Sequence, residues 1–140
     1  QKAEAAALQR KVTGWFQAYF RIVETNGLND EARQISADFI ENAPADGLNA
    51  FAWNILTRLP EQQRDRQAAL KAAKKAADLT AQEDPSVLDT YALALFETGK
   101  VQEAIELQKK AIELAGDYPQ AQAEFRQRLE RYRAALGEEI

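Results

Sequence analysis

Residues 96–104 read FETGKVQEA, and residues 24–32 read ETNGLNDEA. The two stretches share the pattern G-x-x-x-E-A, and in each of them the glycine follows an apolar run with helical spacing. Glycine is typical of the position just past a helix end, so each stretch predicts one helix, a tight turn and the start of a second helix. The shared pattern indicates a chain built by repetition of helix pairs.

Helical periodicity continues along the whole chain. The first stripe of apolar residues contains Leu8, Val12, Trp15, Tyr19 and Val23, and later runs repeat its spacing. No convincing run alternates apolar and polar residues with the period of a β-strand. Most prolines and glycines stand where the helical runs stop or start. The sequence therefore predicts an all-α protein with seven helices, over residues 2–25, 29–42, 48–59, 65–79, 85–98, 101–115 and 119–136.

Three segments share one register when Ala32, Ala69 and Ala104 are aligned, at offsets of 37 and then 35 residues. Large apolar residues then recur at equivalent places in every segment. The columns of large apolar residues are Phe16, Trp53 and Leu88, and Tyr19, Leu56 and Tyr91. A further column contains Phe39, Ala76 and Ala111, and small residues such as these alanines stand where helices would touch. One helix pair cannot bury both of its apolar faces, so the register predicts three pairs that stack on one another.

A repeat of about 34 residues, with an aromatic residue, Leu, Gly and Ala at fixed offsets, resembles the tetratricopeptide repeat (TPR). The stretch 85–114, PSVLDTYALALFETGKVQEAIELQKKAIEL, is the best match, and the resemblance covers residues 13–118. The middle portion is also similar to bacterial TPR segments, some of which are joined to thioredoxin-like domains. The resemblance implies one domain over residues 1–140, an α-solenoid of three helix pairs. Its parts are a helical extension (1–12), three repeats (13–49, 50–84 and 85–118) and a C-terminal capping helix (119–136).

The resemblance also implies a partner-binding groove, because the first helix of each TPR pair lines the concave side. The residues implied on its walls are Gln17, Arg21, Phe51, Asn54, Arg58, Asp89 and Thr90. Arg21 and Arg58 occupy equivalent places in successive repeats, and two guanidinium groups on one wall suit a carboxylate or a phosphate. The alternative is that these arginines are solvated or paired with Glu24, Glu61 or Asp89.

Phe51 has two interpretations. Trp53 occupies the core column, so on a helix Phe51 points about 200° away from it. An aromatic side chain on a groove wall would be a natural anchor for a partner. The alternative is that Phe51 contacts the first helix pair.

The other clusters of charge favour solvated faces over sites. Lys71, Lys74 and Lys75 stand at helical spacing, which is typical of an outer surface. Four arginines of residues 119–140 interleave with Phe125 and Tyr132, but four glutamates balance them, and the whole chain carries a net charge of −4. A phosphate backbone requires uncompensated positive charge, so we expect no nucleic-acid partner. The apolar stripe of this segment, which should cover the last layer, contains Ala121, Phe125, Leu129, Tyr132 and Leu136.

Composition argues against several classes of function. Cysteine and histidine are absent, which removes disulfides, thiol chemistry, the commonest metal ligand and the commonest general base. No nucleophile elbow, phosphate loop or metal-ligand spacing is present, so we expect no catalytic residue, no metal and no cofactor. No apolar run approaches the roughly 18 residues of a membrane helix, and we expect no membrane insertion. Neither result identifies a cellular compartment.

The sequence therefore predicts a non-catalytic module that binds a protein or peptide partner in a concave groove. In some TPR proteins a set of Lys, Asn and Arg residues holds the terminal carboxylate of a chaperone tail. Of the corresponding residues only Arg21 is basic here, which argues against that ligand. The alternative is an accessory or self-association domain of a larger, thioredoxin-like bacterial enzyme. This alternative is motivated by the absence of methionine, because residue 1 is then not a translational start.

Overall fold

The computed structural model describes residues 1–137, and over these residues it contains seven α-helices and no β-strand. The helices pack in neighbouring pairs along the chain, which confirms the predicted all-α fold. Their bounds are α1 (Lys2–Asn26), α2 (Asp30–Asn42), α3 (Ala45–Thr57), α4 (Arg66–Leu79), α5 (Pro85–Glu97), α6 (Val101–Leu114) and α7 (Pro119–Leu136).

Local chemistry explains most helix ends. The side chains of Asn29, Asp65 and Asp84 accept hydrogen bonds from the first free amides of α2, α4 and α5. Gly27 and Gly99 follow α1 and α5 with φ of 79° and 87°, a conformation that favours glycine. Because these signals lie within a few residues of each boundary, six of the seven predicted helices agree with the structure to within one or two residues.

Helix α3 departs most from its predicted bounds of 48–59. It begins at Ala45, directly after Pro44, and ends at Thr57. The first turn, ADG, contributes no large apolar residue, so the hydrophobic period does not reveal it. At the other end Pro60 disfavours helical backbone at Leu59, and residues Glu61–Gln63 form a short 3₁₀ turn instead.

The turn between α4 and α5 contains two consecutive left-handed residues that are not glycine. Ala81 has φ of 54° and Gln82 has φ of 60°. This geometry lets the Gln82 amide donate to the carbonyl of Ala77 at 2.9 Å, which closes the end of α4. The Cβ atoms of both residues make this turn more strained than one that contains glycine.

The core changes character along the chain. Near α1 the core is aromatic. The ring centroid of Phe51 lies 4.5–6.1 Å from the ring centroids of four neighbours, Phe16, Tyr19, Phe20 and Phe39. In the middle of the chain the buried residues of α4 are alanines, which permit α3 and α5 to approach α4 closely. Near α7 it becomes aromatic again, where Phe96 and Tyr132 stack at 4.6 Å. Ala32, Ala69 and Ala104, the residues that define the repeat register, each have no exposed surface.

Lys75 connects two consecutive helix pairs. Its ammonium group donates to the carbonyls of Ile40 at 2.7 Å and Glu41 at 3.0 Å, at the carboxyl end of α2. A positive charge stabilises the carboxyl end of a helix because the free carbonyl oxygens there carry partial negative charge. Lys75 is therefore half-buried and less solvated than predicted, whereas Lys71 and Lys74 are exposed as expected.

Helix α7 covers the last pair. Phe125, Leu129 and Tyr132 are buried as predicted, Ala121 is half-buried, and Leu136 is 43% exposed because it lies in the last turn of α7. Among the helices of residues 1–137, none has both the length and the apolar character needed to span a bilayer.

Candidate functional site

The residues implied for the groove lie at two separate depressions. The first, of about 420 Å³, lies between α1 and α3 and contains Gln17, Arg21 and Arg58. The second, of about 400 Å³, lies between α3, α5 and α7. Asn54 lines it together with the buried side chains of Asp89 and Thr90. Six of the seven implied residues therefore border an open depression, and Phe51 borders neither.

Phe51 is a core residue. Its side chain has no exposed surface, and its ring lies 4.8 Å from that of Tyr19 and 4.5 Å from that of Phe39. The expected position on a groove wall is wrong, and the alternative, contact with the first helix pair, is confirmed. The reason is that aromatic rings of α1 and α2 cover the face of α3 that carries Phe51. Trp53 itself is only half-buried and borders the second depression.

The two arginines of the first depression have different surroundings. Arg58 donates to the Glu24 carboxylate at 2.6 Å, and its guanidinium carbon lies 4.9 Å from the centre of the Phe20 ring. Pairing with Glu24 is one of the expected alternatives for Arg58. Arg21 is exposed, and its guanidinium has no hydrogen-bond or ion-pair partner within the described part of the chain. The wall thus has one neutralised and one uncompensated guanidinium group.

Asp89 and Thr90 expose very little surface to the second depression. Their side chains are buried, with Asp89 4% and Thr90 2% exposed, because α7 packs over them. The Thr90 hydroxyl donates to the Ser86 carbonyl within α5 at 3.1 Å. Asn54 is half-buried, and its amide nitrogen donates to the Ala50 carbonyl at 2.7 Å. Asp89 and Thr90 therefore border the depression but expose almost no surface to it, and their direct contact with a partner stays a prediction.

Arg128 of α7 is the partner of Asp89. Its Nε donates to Oδ1 at 2.8 Å and its Nη2 to Oδ2 at 2.7 Å, a forked arrangement that fixes the guanidinium plane. Burial alone would lower the pKa of Arg128, but the hydrogen bonds and charge of Asp89 outweigh burial and raise it. The guanidinium also lies 5.3 Å from the centre of the Trp53 ring and 5.7 Å from that of Phe125.

Arg128 borders the second depression but is not among the residues predicted for the groove. It follows Arg58 by 70 residues, twice the 35-residue offset of the repeats. The residue midway between them, Leu93, is buried, so this spacing does not identify Arg128 as a groove residue. The apolar stripe of residues 119–136 predicts a helix that covers the last pair, and it gives no indication that this helix also borders a depression.

A buried polar network around Gln108 holds the Asp89 side chain in place. Gln108 has no exposed surface, and its amide nitrogen donates to Asp89 Oδ1 at 2.8 Å and to the Phe125 carbonyl at 3.0 Å. The Gln108 Oε1 and the Tyr132 hydroxyl have no hydrogen-bond partner among residues 1–137. Burial raises the pKa of the Tyr132 phenol, and the Asp89 charge adds to the effect. Asp89 thus accepts three hydrogen bonds and holds α6 and α7 against α5.

The arrangement defines an all-α protein with two open, partly aromatic depressions on the first helices of its pairs. Within the part of the chain that the structure describes, no three carboxylates lie close enough together to hold a metal ion. Comparisons with protein-family models, with curated proteins and with solved structures gave no significant match.

Proposed function

We propose that the chain is a non-catalytic protein-interaction module, a short α-solenoid of three TPR-like helix pairs with a capping helix. The residues that align in sequence support this arrangement, because Ala32, Ala69 and Ala104 are all fully buried at equivalent places. Contacts between consecutive pairs support it too. Glu24 and Arg58 join α1 to α3, and Lys75 joins α4 to α2.

One observation carries the proposed function: each depression on the first helices combines a guanidinium group held in place with an aromatic surface. Arg58 is fixed by Glu24 above Phe20, and Arg128 is fixed by Asp89 next to Trp53. Groups that are already ordered lose little entropy when a partner binds. Aromatic and arginine side chains are also those that most often contribute strongly to binding energy.

The charges of the two depressions differ and define the chemistry of the partner. Arg21 and Arg58 against Glu24 leave one positive charge on the wall of the first depression. In the second depression Arg128 and Asp89 neutralise each other, and Glu124 leaves one negative charge. We therefore expect a partner segment with an acidic group next to Arg21 and a neutral or basic group next to Glu124.

A displayed library of random peptides tests the proposal. Peptides enriched on the wild-type protein are measured by titration against Arg21→Glu and against Lys71→Glu. Both substitutions reverse an exposed positive charge, but Lys71 borders a different depression of about 410 Å³ between the second helices α2 and α4. We expect roughly tenfold weaker binding for Arg21→Glu, because a charge-assisted contact is lost, and unchanged binding for Lys71→Glu.

Circular dichroism of both variants checks that the helices are intact. Equal binding of the selected peptides to both variants would reject the surface of α1 and α3. A library in which no peptide is enriched over a blank surface would contradict peptide recognition altogether.

The exposed start of α1 favours a second candidate function, an accessory or self-association domain. Leu8 is 42% exposed on the stripe that continues into buried Val12. Beside it lies a depression of about 400 Å³ bordered by Val12, Phe16 and Phe39. We expect sedimentation velocity to show concentration-dependent association that Leu8→Ser weakens. A wild-type monomer at every concentration would dispose of self-association through this end.

A further inference from the structure

Three arginines surround one carboxylate at the junction of the second pair, the third pair and α7. The Glu97 carboxylate, at the end of α5, lies 3.0 Å from Arg66 Nε, 3.6 Å from Arg64 Nη1 and 3.8 Å from Arg131 Nη2. Only the contact with Arg66 is a hydrogen bond. We call these four residues the Glu97 cluster. It lies outside both depressions described above.

The charges of the Glu97 cluster do not balance. Three guanidinium groups and one carboxylate leave two positive charges, and no second carboxylate of residues 1–137 pairs with any of the three arginines. Asp65 stands between Arg64 and Arg66 in sequence, but its side chain accepts from the Ala68 amide. The Glu97 and Arg64 side chains are only 11% and 17% exposed, so solvent screens the charges in the inner part of the cluster less than at an open surface.

Hydrogen-bond donors of the cluster also remain unused. An arginine has five N–H donors. Arg66 uses its Nε on Glu97, Arg64 uses its Nε on the Leu59 carbonyl, and Arg131 makes no hydrogen bond to the described residues. Arg131 is nevertheless held in place, because its guanidinium carbon lies 4.8 Å from the centre of the Phe96 ring.

We propose that the Glu97 cluster binds a phosphate group, with Arg66 and Arg131 as its principal ligands. A phosphate monoester carries about −1.5 to −2 charge near neutral pH, which matches the two uncompensated positive charges. Planar guanidinium forks donate well to phosphate oxygens. The Arg66 and Arg131 side chains are 33% and 56% exposed, so the group is reached from solvent without any change of fold. The site is independent of the proposed partner surface.

Titration with inorganic phosphate at constant ionic strength tests the site, with the arginine Nε–H resonances of ¹⁵N-labelled protein as readout. We expect saturable shifts of the Arg66 and Arg131 signals with roughly millimolar affinity, from two charge-assisted contacts. Arg131→Gln should weaken binding about tenfold. Arg126→Gln is the matched control, since Arg126 is an exposed arginine of the same helix outside the cluster, and should leave the affinity unchanged.

Glu97→Gln separates a binding site from an ion-pair network that is only structural. If phosphate binds the cluster, the Glu97→Gln variant lacks the competing carboxylate and should bind phosphate about tenfold more tightly than the wild type. The melting temperature of the variant should then rise as phosphate is added. A structural network predicts that Glu97→Gln only lowers the melting temperature. Shifts that are absent, or equal in the wild type, Arg131→Gln and Arg126→Gln, would overturn the proposal.

A peptide with one phosphoserine identifies the source of the phosphate. Binding that is tighter than that of inorganic phosphate, and lost with the unphosphorylated peptide, assigns the site to a phosphorylated protein. Equal affinity for the peptide and for inorganic phosphate assigns it to a small phosphate-bearing molecule. Both results support the site, whereas binding of the two peptides with equal affinity contradicts recognition of the phosphate group.

Discussion

Two arginine–carboxylate pairs in this protein have nearly the same length but different burial, which permits a controlled measurement. Arg128 and Asp89 lie 2.7 Å apart with side chains 24% and 6% exposed, and Arg58 and Glu24 lie 2.6 Å apart with side chains 47% and 43% exposed. Each arginine also lies over an aromatic ring. The pairs therefore differ in burial and in geometry, since Arg128 forms two hydrogen bonds to Asp89 and Arg58 forms one to Glu24. Both differences should raise the coupling free energy of the buried pair.

The expected magnitudes follow from solvent screening. Loss of Arg128 leaves the buried Asp89 charge without its principal partner, which costs about 3–5 kcal/mol of unfolding free energy. Loss of Asp89 leaves the buried Gln108 amide without one acceptor, which adds about 1–3 kcal/mol to that substitution. The coupling between Asp89 and Arg128 should be about 2 kcal/mol. For Glu24 and Arg58, which are both well solvated, it should be below about 1 kcal/mol.

Double-mutant cycles with alanine at each position measure both couplings by urea unfolding. The cycle subtracts the loss of ring stacking, because this loss is common to the single and the double arginine variants. Added salt should reduce the coupling of the exposed pair more than that of the buried pair. Equal coupling energies for the two pairs, with equal salt dependence, would refute the argument that burial and the network around Asp89 determine the strength of this contact.

Three further predictions concern stability. Phe51→Ala should lower the unfolding free energy in urea by about 3–5 kcal/mol, because it leaves a cavity among four aromatic rings; a loss below about 1 kcal/mol would place Phe51 outside the core. Ala81→Gly should raise the unfolding free energy by up to about 1 kcal/mol, because glycine relieves the left-handed strain; a decrease would contradict that conformation. The folded-state pKa of Tyr132 is raised above its ordinary value of 10.0, so its contribution to stability is complete below pH 10 and is lost as pH rises further. Tyr132→Phe, which removes a hydroxyl without a partner in the described chain, should unfold less readily than the wild type in alkaline urea titrations, and an identical pH profile would contradict this.

The helix starts that were predicted correctly depend on local signals. Asn29, Asp65 and Asp84 act on amides two or three residues away, so the starts of α2, α4 and α5 follow from the printed order of residues. Ala32, Ala69 and Ala104, which the alignment places in one column, are all fully buried, because close approach of helices requires a small side chain.

The candidate surface was harder to predict, because helical periodicity identifies apolar positions but not how many sides of a helix are covered. Trp53 and Phe51 are both apolar residues of α3, and the structure buries the second fully and the first only in part. Asp89 looked like an exposed acidic residue of the groove. It is buried because Arg128, which is 39 residues away in sequence, neutralises its charge.

The sequence by itself determined the all-α class, the number of helices and most of their ends, since these depend on neighbours within one or two helical turns. Only the tertiary structure decided which charged and aromatic side chains remain accessible. Burial of a carboxylate such as Asp89 or Glu97 depends on cations brought from distant helices, and no spacing along the chain specifies which helix will supply them.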